Sequence, residues 1–201
     1  EEYITMGMAA WGRNTWYHDM REHVIANERD LELRHNFHTG MSDDFLLGDS
    51  NENIAAAGQL IAEDLIRQVM IRARNFEFSH NLVYMGGVAL NCTANRMLGE
   101  YFDKIWIMPC PGDAGSSLGA AALALGRRVN WHNSYLGHCI PGVYPVNQLL
   151  DRLLSDKIVG VASGRTEFGP RALGNRSLLA DPRGSEIKEK VNAIKRRQQF
   201  R

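Results

Sequence analysis

The 201 residues carry 23 acidic and 23 basic side chains, so the chain presents no overall basic field. This balance argues against a general affinity for nucleic acid or for an anionic membrane surface. Hydrophobic residues make up 44% and charged residues 23%, as in an ordinary folded globular protein. No apolar run approaches the roughly 20 residues that a membrane span needs. We therefore expect a soluble protein in which any anion site is local.

Three cysteines, Cys92, Cys110 and Cys139, lack the paired spacing of a disulfide framework or a zinc site. A reduced, cytoplasmic location is the expectation that follows. Cys92 and Cys110 flank glycine loops, and a buried structural thiol is the favoured interpretation. The chain begins without Met and ends in KRRQQFR just after a predicted helix, so it is interpreted as an internal fragment of a longer protein.

The N-terminal quarter gives weak secondary-structure signals. Residues 3–12 combine apolar residues with two glycines and are predicted to be a strand end and a loop. Residues 16–40 have no clean periodicity and are predicted to be irregular. Their histidines lack the i, i+4 spacing of a helical metal-ligand pair, which favours exposed or hydrogen-bonded roles over metal binding. These histidines are His18, His23, His35 and His38.

The first strong periodicity predicts an amphipathic helix over residues 53–75, after a loop at 41–52. Either Asn51 or Asn53 is expected to cap its first amide groups. The predicted buried stripe is Ile54, Ala57, Ile61, Leu65 and Val69, and the predicted opposite side carries Glu63, Arg67 and Arg74. The role of this helix is expected to be structural.

Residues 82–126 contain one unit twice. A strand at 82–85 meets Gly86 and Gly87 and is followed by a predicted helix that ends near Gly99. A second strand at 105–108 meets PCPGDAGSS and a predicted helix at 116–126. This pattern is typical of a parallel α/β sheet, whose loops at the carboxyl ends of the strands bind ligands. Two such loops side by side predict a nucleotide or phosphate site.

Both loops offer candidate ligand contacts. Glycines allow a close approach of ligand to backbone, and a helix start directs free amide groups towards an anion. Asn91 can donate and accept hydrogen bonds, as a nucleoside requires. Asp113 has two open interpretations, a helix cap or a contact to a metal or ligand. The predicted nucleotide contacts are Gly86, Gly87, Asn91, Gly112, Gly115 and Ser116, with Ser117 able to bind phosphate oxygens.

A third glycine-containing segment carries four arginines, at positions 165, 171, 176 and 183. Guanidinium groups match the planar, bidentate geometry of phosphate and carboxylate oxygens. The alternative is that these arginines form salt bridges with Glu167 and Asp181. We select Arg165, Arg171 and Arg176 as candidate phosphate contacts.

Four motifs occur in order along the chain: MGMAAWG, GGVALN, PGDAGSSLGAA and GRTEFGPRALGNRSLLADPR. Together they resemble the signatures of O-carbamoyltransferases of the nodulation and antibiotic-tailoring type. The first domain of those enzymes is similar to the threonylcarbamoyl transferases of tRNA modification. The resemblance covers most of the chain and is weakest at residues 13–50. It implies an actin-like, ribonuclease H-like ATPase half-domain followed by the start of an α+β, YrdC-like domain.

The polar, turn-rich segment after Gly126 marks the predicted domain boundary. Residues 1–130 would form the C-terminal part of the actin-like carbamoyltransferase domain, 131–145 a linker, and 146–201 the beginning of the YrdC-like, carbamoyl-activating domain. Within the last segment we predict a helix at 146–154, a strand at 157–162, and a basic helix at 185–197 with Ser185 as its cap. Three basic residues in a row there are interpreted as a solvated face.

The resemblance also implies residue roles. Asn91 would contact the nucleotide, and Asp113 would bind iron(II) or another divalent metal. The family's other metal ligands are two histidines spaced H-x-x-x-H, a motif this chain lacks. Carbamoyl phosphate would bind at Arg165, Arg171 and Arg176.

The leading functional hypothesis is an ATP-dependent O-carbamoyltransferase. Carbamoyl phosphate and ATP would give carbamoyl-adenylate, and the carbamoyl group would pass to a hydroxyl of a small acceptor. One alternative is a threonylcarbamoyl transferase acting on tRNA, which the balanced charge opposes. Another is a non-catalytic nucleotide-binding module of the actin-like fold. Because both expected sites look incomplete, the isolated chain is expected to be inactive.

Overall fold

A computed structural model describes residues 2–27, 29, 31–37, 40, 45 and 48–201, and it is a mixed α/β structure. The α-helices of this described part are α1 (Glu2–Met8), α2 (Tyr17–Val24), α3 (Asn51–Phe76), α4 (Cys92–Asn95), α5 (Ser116–Leu125), α6 (Val146–Asp156) and α7 (Ile187–Ile194). Its strands are β1 (Ile25–Asn27), β2 (Glu32–Leu33), β3 (Asn81–Tyr84), β4 (Lys104–Ile107), β5 (Cys139–Ile140), β6 (Ile158–Ala162), β7 (Gly164–Arg165) and β8 (Arg176–Ala180).

The chain divides into two compact units. Unit 1 comprises Glu1–Leu82, Asn91–Ile105 and Phe200–Arg201, and unit 2 comprises Val83–Leu90 and Trp106–Gln199. The strands β3 and β4 pair with each other, and the division falls within both of them. The predicted domain limits at 131–145 stay a prediction. No helix among the described residues is long and apolar enough to cross a membrane.

The N-terminal segment of unit 1 is helical, so the predicted strand end and loop at 3–12 is wrong. Helix α1 continues into a 3-10 turn at Ala9–Trp11, and both pack on α3. Packing against α3 overrides the local glycine signal. Gly12 reflects this packing, since a Cβ there would lie 1.8 Å from the Glu52 carbonyl oxygen.

Residues 16–40 are also more regular than predicted. They contain α2 and the antiparallel pair β1 and β2, with Ile25 opposite Leu33. Four residues, Met20, Ile25, Ala57 and Ile61, form a buried hydrophobic cluster that holds this segment on α3. His23 stacks near His35 and Phe45, whereas His38 and much of the predicted loop at 41–52 lie outside the described residues.

Helix α3 confirms the predicted amphipathic helix but differs in its cap and its buried face. Ser50, not Asn51 or Asn53, is the N-cap, and its hydroxyl accepts a hydrogen bond from the Asn53 N–H at 3.2 Å. Glu63, predicted on the solvent side, is buried, and Val69, predicted in the buried stripe, is 44% exposed. The burial differs because α1, α2 and α4 contact α3 from several directions.

The repeated strand–loop–helix unit is confirmed in its strands and in its second helix. Strands β3 and β4 and helix α5 lie within one residue of their predicted limits. The single helix predicted between Val88 and Gly99 is wrong, because this segment forms 3-10 turns at Gly87–Leu90 and Arg96–Glu100 around the one-turn α4. Asn91 is the N-cap of α4, where its side chain accepts a hydrogen bond from the Ala94 N–H, so a new helical turn begins at this residue.

The C-terminal part of unit 2 is built on an antiparallel pair that the sequence analysis missed. Strands β6 and β8 pair over five residues, from Ile158 opposite Ala180 to Ala162 opposite Arg176. A second short pair joins β5 to β7. Helix α6 and strand β6 match their predictions. Helix α7 begins at Ile187 after Glu186 with no side-chain cap, so the predicted Ser185 cap is wrong.

Candidate functional site

The two glycine loops of the repeated unit lie side by side in unit 2, as predicted. The Gly86 N–H donates a hydrogen bond of 2.9 Å to the Pro111 carbonyl oxygen. A Cβ at Gly112 would come within 3.8 Å of the Gly87 Cα. Gly86 adopts a φ of +97°, which favours glycine at this turn. Because the Gly86 N–H is bonded to Pro111, it is not available to a ligand. A ligand at this turn would contact the exposed backbone of Gly86 and Gly87 through other atoms.

The arginine-rich segment reaches the same place. At Gly169, φ is +126° and a Cβ would lie 2.2 Å from the Pro109 carbonyl oxygen, so only glycine permits this approach. Two residues on, the Arg171 guanidinium donates a hydrogen bond of 2.8 Å to the Leu90 carbonyl oxygen. Three separate motif segments of unit 2 therefore meet. We call this meeting of residues 86–90, 109–116 and 165–176 the loop cluster.

Asp113 carries an exposed carboxylate in the loop cluster. It is exposed at the start of a 3-10 turn that leads into α5, and the N-cap positions of this turn and of α5 are Gly112 and Gly115. The helix-cap interpretation of Asp113 is therefore wrong. Its carboxylate contacts no hydrogen-bond donor or cation among the residues that the structure describes. The group is thus available to a ligand.

The neighbouring predicted residues differ in accessibility. Gly115 is buried, and a Cβ there would lie 1.9 Å from the Cys110 carbonyl oxygen, which explains the glycine by packing. Ser116 is exposed at the first position of α5. The Ser117 hydroxyl donates to the Ala114 carbonyl oxygen at 2.8 Å. Of the thiols near the glycine loops, Cys110 is buried as predicted, whereas the prediction is wrong for Cys92, which is exposed at the first position of α4.

Asn91 lies in unit 1 and is bonded to protein groups through both its side-chain oxygen and its side-chain nitrogen. Its Oδ1 accepts a hydrogen bond from the Ala94 N–H at 3.1 Å, and its Nδ2 donates to the Gln59 Oε1 at 3.0 Å. Gln59 in turn donates to the Glu63 carboxylate at 2.9 Å. A nucleotide contact by Asn91 would use its second Nδ2 N–H, which has no partner among the described residues, or would share one of these bonds.

The three candidate phosphate-binding arginines have different surroundings. Arg165 and Arg171 are exposed, and each donates to a single carbonyl oxygen, that of Gly137 or Leu90. The Arg176 Nη1 and Nη2 atoms donate to four carbonyl oxygens, those of Ser163, Gly164, Asn175 and His138. A phosphate contact by Arg176 would therefore use its Nε–H or replace one of these bonds.

The salt-bridge alternative is correct for Arg183, which pairs with buried Asp181 at 2.7 Å. Glu167 instead accepts hydrogen bonds from backbone N–H groups. One Glu167 oxygen accepts hydrogen bonds from the N–H groups of Leu173, Asn175 and Arg176, at 3.0, 2.8 and 3.1 Å. Desolvation raises the pKa of Glu167, but hydrogen bonds from these and its own backbone N–H outweigh it and lower the pKa to about 2. A carboxylate that accepts several N–H groups fixes the loop around it. Sequence reasoning missed this role because backbone N–H donors occur in nearly every residue and leave no pairing pattern.

An aromatic ladder within unit 2 was also missed. Trp131 makes edge-to-face contacts with Trp106 and Phe168, with ring centroids 6.4 and 5.9 Å apart. Phe168 precedes Gly169, so these ring contacts help to hold Gly169 against the Pro109 carbonyl group. Trp131 falls in the segment predicted as a linker, where a lone aromatic residue carries no periodic signal.

A metal ion fits poorly on the residues that the structure describes. They contain no group of three or more His, Cys, Asp and Glu side chains arranged to hold one. Asp113 alone supplies a single carboxylate, whereas bound divalent metals in proteins take several ligands. The metal at Asp113 stays a prediction of the resemblance.

The fold and the loop cluster define an α/β protein with converging glycine-rich and arginine-bearing loops. Residues 7–122 match the family model described as the carbamoyltransferase N-terminus, and residues 150–201 match that described as the carbamoyltransferase C-terminus. The chain belongs to the carbamoyltransferase family.

Similar proteins include nodulation proteins. Nodulation protein NolO of Bradyrhizobium diazoefficiens is 30% identical over 100% of this chain and 44% of its own length. Nodulation protein U of Sinorhizobium fredii is 32% identical, covering 90% of this chain and 36% of that protein. An uncharacterized protein of Synechocystis sp. is 30% identical, covering 100% of this chain and 42% of its own length. The chain thus spans less than half the length of these relatives.

Proposed function

We propose that this chain contributes to an ATP-dependent O-carbamoyltransferase. The observation that carries the proposal is the loop cluster, in which three motif segments of the family meet within unit 2. The exposed guanidinium groups of Arg165 and Arg171 retain N–H donors beyond their single carbonyl contacts. These donors suit an anionic substrate such as carbamoyl phosphate.

The proposed reaction has two steps. In the first, water hydrolyses carbamoyl phosphate to carbamate and inorganic phosphate, and a carbamate oxygen then attacks the α-phosphorus of ATP, so that carbamoyl-adenylate forms and pyrophosphate leaves. The oxygen of a small acceptor's hydroxyl then attacks the carbamoyl carbon, AMP leaves, and the hydroxyl proton passes to a base. No described residue is assigned as that base, and neither step is routed through a metal ion.

The predicted nucleotide contacts fall into two groups under this proposal. Gly86, Gly87 and Gly112 present backbone without side chains, and Ser116 offers a hydroxyl at the N-terminus of α5, where a helix favours negative charge. Gly115 maintains the turn. Asn91 would contact the nucleotide and Asp113 would supply one ligand to iron(II) or another divalent metal, and the actin-like and YrdC-like folds belong to the same proposal.

The test uses the intact protein that contains this chain, supplied with ATP, labelled carbamoyl phosphate and a panel of hydroxylated acceptors. We expect pyrophosphate release that depends on carbamoyl phosphate, and label on an acceptor. Arg171→Gln should reduce both, whereas Arg152→Gln, which removes an exposed i,i+4 pair with Asp156 on α6, should reduce neither. Nucleotide binding without pyrophosphate release or labelling would refute the proposal and favour a non-catalytic module.

A further inference from the structure

Unit 1 contains a pocket that the carbamoyl-transfer proposal does not use. Its volume is about 540 Å³, within the range of small-molecule sites, and it lies between α3 and the segment that runs from α1 to Thr15. Methionine, alanine and leucine side chains form the apolar part of its wall. The polar part comes from Arg13, Asn14, Thr15, Gln59 and Thr93.

The polar wall has an unbalanced charge. Arg13 is the charged residue that lines the pocket, and no Asp or Glu is among the described lining residues. The Arg13 guanidinium and the hydroxyls of Thr15 and Thr93 make no hydrogen bond or ion pair with any residue that the structure describes. Its described residues therefore offer an occupant the Arg13 cation and these two hydroxyl groups, and they include no carboxylate that would neutralise a bound amine.

Gln59 adds an acceptor with a fixed orientation. Its Nε2 donates to the Glu63 Oε1 at 2.9 Å and to the Asn91 Oδ1 at 3.2 Å, which uses both of its N–H groups. Its Oε1 accepts from the Asn91 Nδ2 at 3.0 Å. A carbonyl oxygen has two lone pairs, so Gln59 presents one further acceptor site, suited to a ligand hydroxyl.

We infer that this pocket binds a hydroxylated small molecule that carries a negative charge, of the sugar-acid class. The anion lies at Arg13, and the hydroxyls pair with Gln59, Thr15 and Thr93. Apolar walls beside paired amide and hydroxyl groups match the apolar faces and polar edges of a sugar ring. This assignment does not depend on carbamoyl transfer.

The test compares three hexoses that differ in one group: glucuronate, glucose and glucosamine. Their dissociation constants for the full chain are measured by saturation-transfer NMR titration at neutral pH. We expect glucuronate to bind about tenfold more tightly than glucose, as a charge-assisted hydrogen bond implies, and glucosamine to bind most weakly. No binding by any of the three, or glucosamine binding as tightly as glucuronate, would overturn the inference.

Variants locate the site. Arg13→Gln should reduce glucuronate affinity to that of glucose and leave glucose affinity unchanged, whereas Arg13→Lys should keep most of the preference. The Arg13 main-chain N–H bond to the Asn53 side chain survives either change, so the fold is preserved. The near-isosteric Thr93→Val should weaken both sugars, and the distant control Arg152→Gln should weaken neither. A glucuronate preference that persists in Arg13→Gln would place the binding elsewhere and refute the assignment.

Discussion

Asn91 and Asp113 occupy comparable places in the repeated unit, yet their surroundings are opposite. Asn91 is half-buried and bonded to Gln59 and to the Ala94 N–H. Asp113 is exposed and has no hydrogen-bond partner among the described residues. Since a partnered polar group stabilises the fold and an unpartnered exposed one stays available, loss of the Asn91 side chain should affect stability more than loss of the Asp113 carboxylate.

The largest expected effect is a loss of stability on substitution of Gly169, which packs against the loop that carries Asp113. Gly169→Ala should destabilise the protein by about 3 kcal/mol or more, because the new Cβ meets the Pro109 carbonyl oxygen at a positive φ. Urea unfolding measures the change. The matched control is Gly119→Ala in α5, where a Cβ meets nothing within 4 Å, and it should not be destabilised. Equal stability of the two variants would show that the close approach is absent.

Asp113→Asn tests the functional half of the comparison. Under the proposed function, carbamoyl transfer by the intact protein should fall about 100-fold, as when an enzyme loses one polar group that stabilises its transition state. The thermal midpoint should stay unchanged, because no described partner loses a hydrogen bond. The assay is label transfer alongside calorimetry. Full activity in this variant would remove Asp113 from the proposed site, and a lowered midpoint would show that its carboxylate has a structural partner.

Asn91→Ala tests the structural half. The variant should lose about 2 kcal/mol of stability, because the cap of α4 disappears and the Gln59 amide keeps only its bond to Glu63. Chemical denaturation measures this loss. Asn147→Ala on the exposed side of α6 provides the control and should change stability little. A stable Asn91→Ala variant would mean that the network around Gln59 contributes nothing to folding.

Glu167→Gln should have the smallest effect, and the effect depends on pH. The folded-state pKa of Glu167 is about 2, below its usual 4.5, so ionised Glu167 contributes full stability above about pH 4.5 and loses it as pH falls towards 2. The variant should unfold about 2–4 °C lower than the original at pH 7. This difference should shrink between pH 4.5 and 2, as followed by calorimetry. A difference that is constant with pH would contradict the N–H acceptor role.

The sequence predicted the elements that have strong local signals. Periodic apolar residues and the glycine boundaries located α3, β3, β4, α5 and α6, and the side-by-side placement of the two glycine loops followed from the strand–loop–helix order. The motifs also led to the correct family. These features depend on neighbours in sequence, which a single sequence displays.

The features that it missed depend on contacts between distant residues. Helix α1 forms on α3 despite its glycine, and β8 pairs with β6 inside a segment interpreted as an anion loop. The four carbonyl acceptors of Arg176 and the three N–H donors of Glu167 are backbone groups, which every residue carries. Such partners cannot be identified from residue types, so the sequence could not separate Arg171 from Arg176.

The most direct test of the loop cluster as a phosphate site is calorimetric titration of carbamoyl phosphate into the intact protein and two arginine variants. Arg171→Gln should bind the ligand about tenfold more weakly than the original, because one charge-assisted contact is lost. Arg152→Gln should bind it with unchanged affinity. Equal affinities for all three proteins would contradict the assignment of the loop cluster to the carbamoyl donor.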